Sequence, residues 1–404
     1  MKRILLLSTT TGYQAGAVLD AARRLGIRVT LGTDRCHVLE DPWGDGAIAL
    51  RFEQPEQNVE AIAAQHAASP FDGLVAIGDA PTETAALAAS RIGVPFHTPQ
   101  AARAGRDKLL SRRILHDAGL AVPFFRDVST ENPPDGTPFP CVLKPAAMSA
   151  SRGVIRANNA TEYRAAYRRI LAMIPKSDPQ TILVEGFIPG RELAIEGIVD
   201  QGRLHTLAIF DKPDPLDGPY FEESIYVTPS RLNQAAQQEL VRTIARSCAA
   251  LGLQHGPIHA EARWNEQGAW VLEIAARPIG GLCARALHFA GDTLESLILR
   301  HAVGENIADV TRDPSAAGVM MIPIPEAGVY AGVKGVSSAL AVTGVTGLEI
   351  TAKQGERLIP WPEGSSYLGF IFAEAETPEE VERALRAAHK KLRFAIQVSL
   401  PVVS

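Results

Sequence analysis

The sequence predicts a mixed α/β and α+β chain of several lobes: an N-terminal parallel sheet with helices, an α+β middle and a small C-terminal α+β lobe. Three observations predict it. At 404 residues the chain exceeds one ordinary core of about 100–200 residues. Hydrophobic residues make up 46% and charged residues 21%, the proportions of a packed globular protein and not of a disordered or fibrous one. Apolar runs alternate with helical patterns near the N-terminus and give way to paired runs and turns further on.

At the N-terminus residues 4–7 read as a strand, residues 9–12 as a turn, and Val18, Ala21, Ala22 and Leu25 recur at helical spacing before Val29 and Leu31. This is a βαβ unit. A second apolar run, residues 74–77, ends in Gly78-Asp79 and leads into an alanine-rich stretch after Pro81, so residues 1–97 read as an α/β domain on an open parallel sheet. Its loops carry no GxGxxG. Thr9, Thr10, Thr11 and Gly12 stand either for a small-ligand loop at a strand's carboxyl end or for a plain tight turn.

From Asp107 the spacing of Leu110, Ile114 and Ala118 predicts a helix, closed by Gly119 and followed by Pro123. The proline-rich stretch 132–140 marks a loop between subdomains. Residues 140–144 and 181–185 read as strands, and residues 258–274 as a strand pair. Residues 316–322 and 347–350 read as strands and 378–394 as a helix, which sets residues 313–404 apart as a C-terminal lobe. The middle divides into segments 98–180 and 181–312.

Three stretches carry chemistry. With residues 265–269 as the turn of the strand pair, Trp264 faces Trp270 and Glu261 falls opposite Glu273. Opposed carboxylates destabilise a strand pair unless a cation lies between them, and Mg²⁺, which takes hard oxygen ligands, suits the position. The alternative is a solvated surface pair. Next, Lys144-Pro145 precedes a loop of small residues that includes Ser149, Ser151 and Gly153; such a loop lets backbone N–H groups close on phosphate oxygens while the lysine adds a point charge. A flexible turn is the plainer reading, and the loop is no Walker A motif. Finally, Glu185-Gly186-Phe187-Ile188 leaves a strand with backbone groups beside an apolar wall, which suits a flat adenine ring, with Glu192 following as an acceptor for ribose hydroxyls; taken alone, an ordinary turn is the plainer reading.

Taken in order, Lys108 in Arg106-Asp107-Lys108, the Lys144 strand and loop, the 185–192 hinge and the Glu261/Glu273 pair resemble the ATP-grasp superfamily over residues 1–310. The resemblance implies an ATP-grasp fold preceded by its usual N-terminal domain. It makes Lys108 and Lys144 phosphate-binding, with Ser149, Ser151 and Gly153 in the phosphate loop. Adenine falls at Glu185, Gly186, Phe187 and Ile188, ribose at Glu192, and Mg²⁺, one or two ions, at Glu261 and Glu273. Within the superfamily, residues 273–281 and the C-terminal Tyr367-Leu368-Gly369-Phe370 resemble the L-amino-acid ligases and related carboxylate-amine ligases. That likeness implies amide formation through an acyl phosphate with release of ADP and phosphate, Arg277 holding the transferred phosphoryl and Gly280-Gly281 presenting amides beside it. One departure is Ala275, where many ATP-grasp enzymes place a metal-ligating Asn. Ala275 faces His259 in the expected register, so water or His259 fills the gap.

Other residues are softer candidates. Asp211-Lys212-Pro213 and residues 221–224 are either substrate-contacting or solvated loops; His288 and His301 read as helix-surface or core residues; Arg285 meets a substrate carboxylate or caps a helix.

The expected function is ligation of small carboxylate and amine substrates, most simply amino acids, with ATP and Mg²⁺. A bicarbonate-activating enzyme like biotin carboxylase and a nucleotide-binding sensor without catalysis are the alternatives. Lys plus Arg number 40 against 45 for Asp plus Glu, and a net charge of −5 offers no general attraction to nucleic acid or anionic membrane. No apolar run approaches the roughly 20 residues of a membrane span. Cys36, Cys141, Cys248 and Cys283 lack metal or disulfide spacing and read as free thiols, so a cytoplasmic location is expected. A homodimer is compatible with all of this.

Overall fold

The computed structural model describes residues 1–10, 12, 14–34 and 47–397. Thr11 of the N-terminal turn and Cys36 lie outside the described residues. The N-terminal sheet is parallel, with Ile48–Ala49, Arg28–Thr33, Arg3–Ser8 and Gly73–Ile77 side by side. Both faces are covered, which is why Ile4, Leu5, Leu6 and Leu7 are all buried instead of alternating.

The helix Lys108–Asp117 begins where predicted, because the Asp107 carboxylate accepts hydrogen bonds from the N–H groups of Leu109 and Leu110. Beyond it a four-stranded antiparallel sheet runs Phe125–Val128, Ile182–Gly186, Cys141–Pro145, Ile155–Ala157. It carries the Lys144 strand beside the Glu185 strand.

The largest sheet has eight strands, all joined antiparallel, in the order Gly268–Ala275, Gly256–Asn265, Arg191–Asp200, Arg203–Lys212, Ile225–Thr228, Ala316–Ile322, Gly369–Ala375 and Val345–Ile350. Strands from the expected C-terminal lobe thus complete the same sheet as the Glu261/Glu273 hairpin. One core joins them to the N-terminal sheet: Ile4, Leu6, Phe210, Leu297, Val319 and Phe370 belong to a single apolar cluster.

The chain departs from its sequence pattern in two places here. The helix expected over 378–394 is Pro378–His389, opened by a capping box between Thr377 and Glu380. Residues Arg393–Gln397 form a strand that pairs Phe394 with Val333. Asp211 and Lys212, for which a solvated loop is one of two readings, end a buried strand instead. No described helix is long and apolar enough to cross a membrane.

Candidate active site

A cavity of about 340 Å³ opens where the sheets meet. Its wall collects Lys108, Lys144, Ser149, Ser151, Glu185, Gly186, Phe187, Ile188, Glu192, Glu261, Glu273, Arg277 and Gly281. Every sequence-predicted site residue but one therefore faces a common space. The exception is Gly153: its N–H donates to the Pro362 carbonyl, and a Cβ there would point at the Pro145 ring. It shapes the loop from behind.

Glu261 lies opposite Glu273 and His259 opposite Ala275, as expected. The tryptophan pairing is different. Trp264 faces Ala269 and Trp270 faces Arg263, because the turn is tighter than residues 265–269 and a bulge at Leu272 restores the register before Glu273. The bulge has a visible partner in Arg112, whose guanidinium donates to the carbonyls of Val271 (2.8 Å) and Leu272 (3.0 Å).

The same Arg112 donates through Nε to Glu185 Oε1 at 2.6 Å, and Lys144 Nζ contacts the other carboxylate oxygen. All three side chains are buried. Burial disfavours the Glu185 carboxylate, but the two cations hold its pKa below the ordinary value. Nearby, the N–H groups of Gly186 and Phe187 are already used, donating to the carbonyls of Phe124 and Pro140. Among the described residues the Ile188 N–H has no acceptor, so it is the donor that this hinge leaves for a ligand.

Lys108 bridges the two halves of the site. Its ammonium donates to the Met148 carbonyl of the small-residue loop (2.7 Å) and lies 3.2 Å from Glu273 Oε2. In that loop Ala150 and Ser151 take positive φ, 57° and 53°, a conformation that costs non-glycine residues and is found most often at functional sites. The loop is held from the C-terminal part of the chain, where Trp361 Nε1 donates to the Ala150 carbonyl.

Behind the opposite wall the buried Lys212 ammonium sits among three carboxylates: Glu192 at 3.0 Å, Glu223 in direct contact and Glu261 at 3.6 Å. Tyr226 donates to Glu223 at 2.8 Å. Burial and the neighbouring Glu261 raise the Glu223 pKa to about 7 despite Lys212. Glu192, expected to meet ribose, also accepts from Arg263 Nε at 3.0 Å. His259 contacts Glu196 through Nδ1, and its Nε2 is 3.3 Å from Glu261 Oε1. Burial opposes the imidazolium, yet Glu196 and Glu261 raise its pKa to about 9. With both nitrogens on carboxylates, His259 ties Glu261 to Glu196.

Arg277 reaches across to the N-terminal domain, donating through Nε (2.7 Å) and Nη2 (3.2 Å) to the two oxygens of Asp79. This fork is rigid and stays charged, its pKa raised further by Asp79 against the cost of burial. Gly281 has φ +60°, and a Cβ there would press to 3.0 Å of the Phe370 ring.

Residues 137–286 match the ATP-grasp domain family, residues 19–96 the ATP-grasp N-terminal domain, and residues 320–397 the L-amino acid ligase C-terminal domain 2. The crystal structure of an L-amino acid ligase from Bacillus licheniformis has a TM-score of 0.82 at 25% identity, covering 98% of this chain and 99% of that one. The chain carries an ATP-grasp domain preceded by an ATP-grasp N-terminal domain. A D-alanine–D-alanine ligase of Pseudomonas putida is 28% identical over 52% of this chain and 67% of its own length. The alanine–anticapsin ligase of Bacillus subtilis is 26% identical over 48% of this chain and 46% of its own.

This ATP-grasp chain is an ATP-dependent ligase of the carboxylate-amine type, with ATP and Mg²⁺ as its cofactors. The residues present fit both. Glu261 and Glu273 are 22% and 28% exposed, open to the cavity, and are hard oxygen donors of the kind Mg²⁺ prefers. Lys108, Lys144 and the strained loop form a cationic, donor-rich wall suited to phosphates.

Several residues of the ligase site escaped the sequence reading. Arg112, Asp79, Glu196 and Arg263 each act through a partner remote in the chain, so no spacing announces them. Lys212 and Glu223 stand in segments whose sequence fits either substrate contact or a solvated loop. Alternation along a strand could have flagged Lys212. Arg285, by contrast, pairs with Glu349 at 2.5 Å and lies over the Phe372 ring; it is not among the residues that line the cavity and caps no helix. His288 is half-exposed beside Glu374, and His301 is buried.

Proposed function

We propose that the chain joins two amino acids, or an amino acid and an amine, through an acyl phosphate, releasing ADP and phosphate. The observation that carries this reading is the Glu261/Glu273 pair facing a cavity whose other walls hold Lys108, Lys144 and Arg277. Glu261 and Glu273 would hold Mg²⁺, which offsets negative charge on the phosphates when bound. Lys108, Lys144 and the Ser149–Ser151 backbone bind phosphate oxygens. Gly186, Phe187 and Ile188 face the base and Glu192 the ribose. Arg277, locked by Asp79, holds the substrate carboxylate in line, and the Gly281 turn brings backbone amides beside it. A carboxylate oxygen attacks the γ-phosphorus and ADP leaves; the amine then attacks the acyl carbon, and phosphate departs with that oxygen.

The C-terminal segment closes the cavity through Ser365, Ser366 and Tyr367, which keeps water from the activated acyl group. The division into segments 1–97, 98–180, 181–312 and 313–404 is part of this proposal, as is a cytoplasmic setting, where the buried thiols of Cys141, Cys248 and Cys283 stay reduced. The test is ADP release on screening amino acids in pairs, followed by ¹⁸O labelling of the carboxylate. Label in the phosphate is expected. AMP and pyrophosphate, or unlabelled phosphate, would overturn the mechanism.

A further inference from the structure

Far from the catalytic cavity, three side chains from separate parts of the chain converge. Asp200 ends the strand Arg191–Asp200, His255 immediately precedes the strand Gly256–Asn265, and His301 lies in the last turn of the helix Leu294–Ala302. Asp200 is four residues past Glu196 on one strand, about 13 Å at 3.3 Å per residue, so it does not share the cavity. One oxygen, Oδ1 of Asp200, lies 3.2 Å from His255 Nδ1 and 3.1 Å from His301 Nε2. The two imidazoles stack, with centroids 3.8 Å apart and planes within 22°. One ligand atom from each residue lies within 4.8 Å of the other two, and the two O···N separations of 3.2 and 3.1 Å are near those of donors that share a tetrahedral ion at about 2.0–2.2 Å.

The catalytic cavity offers a contrast. There three carboxylates, Glu192, Glu223 and Glu261, converge as closely, and the Lys212 ammonium sits among them. Around Asp200, among the described residues, no lysine or arginine pairs with the carboxylate; two imidazoles alone face it. The support behind them is built. His97, fully buried, accepts from the Gln254 N–H and contacts the Pro257 carbonyl, which clamps both sides of His255. His205 stands opposite Ile198 on the adjacent strand, on the face that Asp200 shares. Asp200 is 40% exposed, which leaves a path for an ion and a water ligand.

We propose that Asp200, His255 and His301 form a site for a late first-row divalent cation, Zn²⁺ above all. Two imidazole nitrogens and one carboxylate oxygen are a borderline donor set that Zn²⁺ favours over Mg²⁺, with the fourth position open to water. The bound ion fastens the C-terminal turn of the helix to the ends of two strands of the central sheet. The carbonyl of Ala302, in the same turn, packs where a side chain on Gly73 would stand, so the ion also steadies the contact with the N-terminal sheet.

The test is calorimetric titration of Zn²⁺ into the full chain saturated with Mg²⁺ and ADP, with Co²⁺ absorption as an independent readout. One Zn²⁺ per chain is expected, together with the visible bands of a low-symmetry Co²⁺ complex. His255→Asn and Asp200→Asn should each weaken Zn²⁺ by more than about 100-fold, beyond the cost of losing an outer partner. If His255→Asn fails to fold by circular dichroism, the half-exposed Asp200→Asn decides alone. Glu261→Gln should leave the stoichiometry and affinity for Zn²⁺ unchanged. Absence of a Zn²⁺ equivalent, equal affinity in a folded variant, or loss of binding in Glu261→Gln would overturn the proposal.

Discussion

Replacing His259 by Gln should flatten the pH dependence of stability on the alkaline side. The imidazole is buried between Glu196 and Glu261, and its pKa rises from 6.5 to about 9. At about 1.4 kcal/mol per tenfold change in proton affinity, that rise contributes roughly 3 kcal/mol. The folded chain holds the proton more tightly than the unfolded one. Its contribution is therefore complete below pH 6.5 and lost as pH climbs through about 9. Glu223, raised from 4.5 to about 7, acts in the same direction in a lower window and is common to both proteins, so it cancels in the comparison. Urea unfolding followed by tryptophan fluorescence, in EDTA, at about pH 6 and about pH 9.5 reads the effect. The wild type should lose about 3 kcal/mol more than His259→Gln between those conditions. Equal losses would refute the claim that His259 is held as an imidazolium by Glu196.

Two further outcomes follow from the site. Glu273→Gln keeps volume but removes one negative ligand; turnover should fall more than about 100-fold, the scale of one lost transition-state electrostatic contact, with partial rescue at high Mg²⁺ and an unchanged melting curve. Wild-type activity at all Mg²⁺ concentrations would show that the carboxylate pair does not hold the ion. Arg112→Met should destabilise the fold by about 3 kcal/mol, since it breaks a buried pair and strips the Val271 and Leu272 carbonyls of their donor, and should raise KM for ATP through the freed Glu185. Denaturant midpoints and steady-state kinetics check both parts; an unchanged KM would confine Arg112 to stability.

The sequence by itself determined what depends on neighbours in the chain. Unbroken apolar runs such as residues 4–7 announced strands buried on both faces, and Asp107 announced the start of its helix. Glu261 does fall opposite Glu273, but by another route than the hairpin turn: the tighter turn alone would set Glu261 against Leu272, and the bulge restores the pairing. The ordered series from Lys108 to Glu273 carried the family. The register of the tryptophans was not legible. A bulge depends on what stabilises it, here the guanidinium of Arg112. Tertiary structure alone decided the charge networks: Lys212 among Glu192, Glu223 and Glu261, Arg277 locked on Asp79, and His255 and His301 on Asp200. The physical reason is distance along the chain. A side chain's periodicity tells which face it occupies, but a buried charge is set by the partner that compensates its desolvation, and that partner is supplied by folding.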